Sequence, residues 1–198
     1  SLLVGATESL SIDGLVEVLG TPNEGARMVL ASGGSIEVTN GTNLKSALSD
    51  LVVSAREDVL MSGVALESAR EVAIRSLRDL QLNQLTINAP DRVRITAARD
   101  LDVDGLQLSQ SLPSLIMEAT TIRLRNIDFP AATAVQLNSL KGPIDGRYPN
   151  FGTGIPLDQQ LGRVNFIVNV RSGGNLLNDR PSFDQFGGNI TIGKLPNP

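Results

Sequence analysis

One apolar pattern recurs four times between residues 59 and 129, at a constant spacing of 21 residues. Each copy has apolar residues at its first, third, sixth and eighth positions. The four copies are Val59, Met61, Val64 and Leu66; Leu80, Leu82, Leu85 and Ile87; Leu101, Val103, Leu106 and Leu108; and Ile122, Leu124, Ile127 and Phe129. Residues two apart in sequence lie on the same face of a β-strand. The pattern therefore predicts two short strands per copy, each with one buried face.

A second apolar series in the same register predicts a third strand per copy. Its members are Leu51 and Val53; Val72 and Ile74; Val93 and Ile95; Ser114 and Ile116; and Val135 and Leu137, with Ser114 as the one polar residue. Two residues separate the first two strands of each copy: Ser62-Gly63, Asn83-Gln84, Asp104-Gly105 and Arg125-Asn126. Gly and Asn adopt positive φ most readily. We therefore expect a sharp corner at this point, with Gln84 as the exception to the pattern.

Three strands per 21 residues predict one turn of a parallel β-solenoid, in which equivalent residues stack about 4.8 Å apart. One turn cannot bury its own apolar face, so at least about three turns are needed. We predict an all-β fold, a single-stranded parallel β-helix of right-handed winding with about 21 residues per turn and a C-terminal β cap.

Two other repeat folds fit less well. A leucine-rich repeat can share the period, and Leu77, Leu80 and Leu82 match its start. However, Leu85 stands where that repeat has Asn, and residues 89–97 alternate like a strand instead of carrying a helical stripe. A left-handed hexapeptide helix needs a period that is a multiple of six, which the spacing here is not.

The chain divides by composition into a solenoid over residues 1–141 and a cap over 142–198. Residues 1–50 are an irregular version of the repeat, with loops expected at 21–25 and 40–43, and residues 51–141 are the regular turns. The last 57 residues hold ten of the 19 glycines, six of the ten prolines and four of the five phenylalanines. We expect the solenoid pattern to stop at 141, with strands at 164–170 and 190–192 inside the cap.

Several classes of function are disfavoured by composition. The formal net charge is −4 and the pI is near 4.9, which gives no electrostatic basis for nucleic-acid binding. Cysteine and histidine are absent, which removes disulfides, thiolate metal sites and the Ser/His and Cys/His catalytic arrangements. No run of 18 apolar residues is present, so no membrane insertion is expected. We expect no cofactor, no metal site and no enzymatic activity.

Carboxylates offer the one catalytic alternative, since clustered carboxylates can cleave glycosidic bonds. The candidates are Asp102 and Asp104 on one strand, with Asp100 and Asp128 nearby. Against this alternative, position 102 is occupied in the neighbouring turns by Leu60, Gln81 and Arg123, so no acidic wall is built.

Charged residues also precede the first strand of successive turns: Glu57-Asp58, Arg78-Asp79 and Arg99-Asp100. This row predicts a solvated edge on which Arg and Asp of successive turns neutralise each other. A ligand-binding stripe is the alternative interpretation.

The 21-residue ladder with Asp-Gly corners resembles the passenger-type β-solenoids of large exported bacterial proteins, the filamentous-haemagglutinin-like and autotransporter adhesins. The segments 142–149 and 162–166 are similar to the end modules of uncharacterised bacterial proteins of this kind. The resemblance implies an exported or surface-attached protein without a cofactor, and an export signal is then expected upstream of Ser1.

We therefore expect a non-enzymatic structural or adhesive segment located outside the cell or on its surface. Its partners would be cell-surface glycans or another protein, and it would be monomeric in this form. The alternatives are a self-assembling scaffold resembling bactofilin filaments and, less favoured, a polysaccharide-cleaving β-helix enzyme.

Overall fold

The computed structural model describes residues 1–19, 27–128, 130, 133–139, 144–145, 165–170, 176–177 and 190–193. These residues form β-strands and connecting bends, without a helix among them. The strands are β1 (Leu2–Ala6), β2 (Leu10–Ile12), β3 (Leu15–Val18), β4 (Met28–Ser32), β5 (Ile36–Val38), β6 (Asn43–Ser46), β7 (Leu51–Ala55), β8 (Val59–Ser62), β9 (Ala65–Ser68), β10 (Glu71–Ser76), β11 (Leu80–Asn88), β12 (Arg92–Ala97), β13 (Asp100–Leu108), β14 (Leu115–Ala119), β15 (Thr121–Asp128), β16 (Ala134–Ser139), β17 (Ile144–Asp145), β18 (Asn165–Val170), β19 (Leu176–Leu177) and β20 (Ile190–Gly193).

The strands form two sheets that run along the coil. Sheet A has the order β1-β4-β7-β10-β12-β14-β16-β18-β20, and sheet B contains the remaining strands. The pairings between these strands are parallel. The all-β parallel β-solenoid is therefore confirmed, while its right-handed winding stays a prediction.

The number of strands per turn changes along the coil. The early turns have three strands, as in β7, β8 and β9. From β11 onward the second and third strands run on as one strand around the corner, so that β11 pairs with both β8 and β9. Three separate strands per repeat are therefore found only in the first part of the stack.

The predicted register is confirmed in the centre of the coil. Val59 pairs with Leu80, Leu80 with Leu101, and Leu101 with Ile122, and all four side chains are fully buried. Each apolar row therefore becomes an internal column, whose burial is the main favourable term in folding. Phe129, the last member of the pattern, lies outside the described residues.

The turn that contains Ser114 departs from the prediction by one residue. Val93 pairs with Leu115, 22 residues later, and Leu115 pairs with Val135, 20 residues later. The longer bend places Leu115 and Met117 in the core, where both are fully buried, and leaves Ser114 immediately before β14. The expected core pair Ser114 and Ile116 was wrong because this slip replaces a buried hydroxyl by an apolar side chain.

The expectation that the solenoid pattern stops at residue 141 is not met by the backbone. Strands β18 and β20 extend sheet A, and β17 and β19 extend sheet B, all in parallel. The strands predicted at 164–170 and 190–192 are found as β18 and β20. Most of 142–198 and the predicted loop at 21–25 lie outside the described residues, so a covering role for the tail stays a prediction.

The corner residues share one backbone conformation. The φ angles of Gly41, Gly63 and Gly105 are +85°, +61° and +81°, and Gly14 has +84°. Gln84 has φ +50° and is the one non-glycine among the described residues with a positive φ. The stacked corners impose this conformation on Gln84 although its side chain disfavours it.

Replacing the buried Val103 by Asp tests the core. An unpaired carboxylate in the apolar column should lower the free energy of unfolding by at least about 3 kcal/mol, as measured by urea denaturation. Gln107→Asp is the control, because Gln107 lies exposed on the same strand, and it should change stability by less than about 0.5 kcal/mol. Equal stability of the two variants would contradict the stacking.

The corner is tested by a pair of glycine substitutions. Gln84→Gly should be close to neutral, since relief of about 1 kcal/mol of left-handed strain offsets the added freedom of the unfolded chain. Gln107→Gly, in ordinary strand conformation, should cost about 0.5 to 1 kcal/mol. Gly105→Val should cost more than about 1 kcal/mol, because a Cβ there would also lie 3.2 Å from the Cα of Gln84. Urea denaturation of the three variants measures these differences, and a larger loss in Gln84→Gly than in Gln107→Gly would be the opposite result.

Candidate functional site

The two central candidate carboxylates lie together on the outer face of sheet B and share one cation. Arg125, on the next strand, places Nη2 2.5 Å from Oδ1 of Asp102 and Nε 3.7 Å from Oδ2 of Asp104. All three side chains are partly exposed. One guanidinium therefore lies between the two carboxylates and offsets one of their two negative charges, as in a structural ion-pair network.

The other two candidates do not complete a catalytic group. Asp100 lies at the opposite end of β13, where its backbone N–H donates to Oδ1 of Asp79 at 3.2 Å, and the side chain of Asp128 lies outside the described residues. In the row of Asp102, the adjacent rungs carry Gln81 and Arg123. The expectation that this row builds no acidic wall is therefore confirmed.

Charges at the edge before the sheet B strands pair between successive turns, as predicted. Arg99 binds Asp79 through two hydrogen bonds, of which the Nε–Oδ1 bond is 3.0 Å long. Arg78 lies 3.5 Å from Asp58 and 3.8 Å from Glu57. We call these residues the charged edge.

The charged edge also satisfies backbone groups. The N–H of Asp79 donates to Oδ1 of Asp58 at 3.1 Å, and the N–H of Asp100 donates to Oδ1 of Asp79 at 3.2 Å. The pKa of Asp79 is lowered, first by the hydrogen bond from Arg99 and further by the Asp100 amide, against an opposing effect of burial. The edge thus links rungs at the point where each strand begins, which favours a structural role over a ligand stripe.

Sequence reasoning missed a depression on the outer face of sheet B. It crosses β5, β8 and β11 and has a volume of about 270 Å³. Its lining residues are Glu37, Val38, Thr39, Asn40, Leu60, Met61, Ser62, Gln81 and Asn83. We call it the Leu60 groove, because Leu60 is a large apolar side chain that is 37% exposed there.

Several polar side chains that line the Leu60 groove have no hydrogen-bond or ion-pair partner among the described residues. Those of Glu37, Asn40, Ser62, Gln81 and Asn83 make no hydrogen bond or ion pair with a described residue. In contrast, the neighbouring Thr39 donates to Asp13 and the next rung carries the Arg125 ion pairs. The groove is therefore a patch of available donors and acceptors between paired groups.

One feature of the sequence could have indicated the groove, namely an apolar residue at a position that faces outward. Leu60 alternates with the core residues Val59 and Met61 and so had to point outward, where its row otherwise has polar residues. Alternation alone does not show that side chains from three rungs enclose a depression. That conclusion depends on the register in which β5, β8 and β11 pair.

The described part of the chain offers neither a metal site nor a membrane-spanning helix. No group of three or more His, Cys, Asp or Glu side chains is arranged to hold a metal ion there. Those residues also contain no helix of the length and apolarity needed to cross a lipid bilayer.

Asp79→Asn tests the charged edge through its pH dependence. The folded-state pKa of Asp79 is lowered, so its contribution is fully present above the unfolded-state value of about 4 and disappears as pH falls through the folded value. The variant should be less stable by up to about 1 kcal/mol at pH 7, with a smaller difference near pH 3. Urea unfolding at both pH values measures this.

The control for this test is Asp91→Asn, which removes a more exposed pair with Arg70 whose Nε–Oδ2 distance is 3.7 Å. Its effect at pH 7 should be the smaller of the two. A stability difference between wild type and Asp79→Asn that grows as the pH falls would contradict a lowered pKa of Asp79 in the folded state.

Comparison of the chain with protein-family models, with curated proteins and with solved structures gave no match in any of the three. The resemblance to bacterial adhesins therefore stays a prediction that is based on the repeat pattern.

Proposed function

We propose that this chain is a non-enzymatic structural or adhesive segment of an exported or cell-surface bacterial protein. The observation that carries the proposal is the separation of the inner from the outer rows. The inward positions are apolar from rung to rung, whereas one outward row reads Glu37, Leu60, Gln81, Asp102 and Arg123. Such a coil holds its shape independently of the surface that it presents, as suits a stalk or an attachment surface.

The pairing of the candidate carboxylates supports a non-enzymatic role. Hydrolysis of a glycosidic bond uses one carboxyl as an acid and a second as a base or nucleophile, both directed at the bond. Asp102 and Asp104 are instead directed at Arg125. Both are thereby held by a neighbouring strand, as in a structural network.

A second candidate, the self-assembling scaffold, is favoured by the apolar side chains of the first turn. Leu3, Leu15 and Leu19 are 73%, 67% and 73% exposed. Apolar surface of this kind can drive association between chains. Sedimentation equilibrium decides between the candidates, since a stable monomer at high concentration removes the scaffold.

The adhesive proposal is tested with beads that carry the full chain at controlled density. They should attach to surfaces coated with extracellular polysaccharides or proteins more strongly than albumin-coated beads do. The same chain should release no reducing ends from a panel of polysaccharides. Attachment no better than albumin on every surface, or reducing ends that disappear with Asp102→Ala, would overturn the proposal.

A further inference from the structure

We propose that the Leu60 groove is a binding subsite for a neutral, hydroxyl-rich glycan chain that runs along the coil axis. The inference rests on the proposed adhesive function and assigns it to one face of sheet B. The groups that would recognise the glycan are the unpaired polar side chains of the groove and the exposed face of Leu60.

The chemistry of the groove walls matches that of sugar hydroxyls. Carboxamides of Asn40, Gln81 and Asn83 each offer donors and acceptors, as a hydroxyl group requires. The Glu37 carboxylate accepts hydrogen bonds from hydroxyl groups, and such bonds to an ionised acceptor are among the stronger ones. Leu60 supplies an apolar surface for the C–H face of a sugar ring.

These side chains are available and partly held in place. Because they make no hydrogen bond with described residues, a ligand would not have to break such bonds in order to reach them. Asn40 lies against Gly63, where a Cβ atom would overlap the Asn40 side chain. The absence of a side chain at residue 63 thus gives the amide of Asn40 its position beside the groove, which reduces the ordering cost of binding.

The geometry favours a chain that is recognised unit by unit. Glu37, Leu60 and Gln81 stand in one row on three adjacent strands, at a spacing of about 4.8 Å. This spacing is close to the length that each hexose adds to an extended polysaccharide. Ser62 and Asn83 form the parallel row on the other side of the groove.

Peptides and polyanions fit this face less well. An extended peptide is commonly bound by strand addition at a free sheet edge, but β8 is paired with β5 on one side and β11 on the other. Main-chain pairing is therefore blocked at the groove, and any ligand must be held by side chains. The carboxylate of Glu37 disfavours a sulfated or uronic-acid chain, so we assign a neutral glycan.

The test uses the full chain and three probes, the hexamers of β-1,4-linked glucose, β-1,4-linked N-acetylglucosamine and α-1,4-linked glucose. Each is titrated while the backbone amide signals are followed by NMR. At least one hexamer should shift the signals of residues 37–40, 60–63 and 81–83. No shift with any hexamer, or shifts confined to another face, would overturn the proposal.

Variants locate the contacts. Gln81→Ala or Asn83→Ala should weaken binding about ten-fold, as expected for the loss of one or two hydrogen bonds. Gln107→Ala is the control, because it removes an exposed amide on a strand of the same sheet outside the groove. The affinity of this variant for the hexamer should equal that of wild type. Thermal melts confirm that all three variants fold. Unchanged affinity in both groove variants would overturn the assignment.

The outcome is distinguishable from failure of the proposed function. Beads that attach to a protein-coated surface while no hexamer binds would overturn the glycan subsite alone. Tighter binding of an extended apolar peptide than of every hexamer would overturn the choice of ligand. Absence of both attachment and hexamer binding would overturn both proposals.

Discussion

The fold depends on the in-register stacking of inward apolar side chains from one rung to the next. A rung by itself leaves the upper and lower surfaces of its apolar residues in water, and only the neighbouring rungs cover them. The described core therefore forms one continuous cluster along the coil. Because every rung depends on the next, a single charge placed in a column acts on several rungs.

Backbone constraints at the corners and edges keep this stacking in register. Residues 63, 84 and 105 all have positive φ, so the chain changes direction at equivalent points in successive rungs. At the charged edge, the carboxylates of Asp58 and Asp79 accept amide protons from the following rung. These contacts are modest in energy, but they specify where each strand begins and thus which side chains face inward.

The outer faces are free to differ because the core does not involve them. Along sheet B the outward side chains change from the unpaired amides of the Leu60 groove to the Arg125 ion pairs within two rungs. This independence lets one rigid coil present different chemistries along a single sheet, with unpaired amides at one level and ion-paired charges at another. The proposed adhesive role and its glycan subsite both follow from this arrangement.

Sequence alone determined the period and the inward residues of 59–108, because a two-residue alternation and a 21-residue repeat each have one simple structural meaning. It did not determine that the second and third strands join into one from β11 onward. The same reasoning placed Ser114 in the core by extending the period, and only packing decided that the chain slips to bury Leu115 instead. The sequence also did not predict a left-handed conformation for Gln84, because the constraint from the stacked corners outweighs the residue's own backbone preference. Partners such as Arg125 for Asp102, and the enclosure of the Leu60 groove, were decided by the tertiary structure alone. They depend on which side chains of neighbouring rungs meet, and that follows from side-chain direction and register in three dimensions.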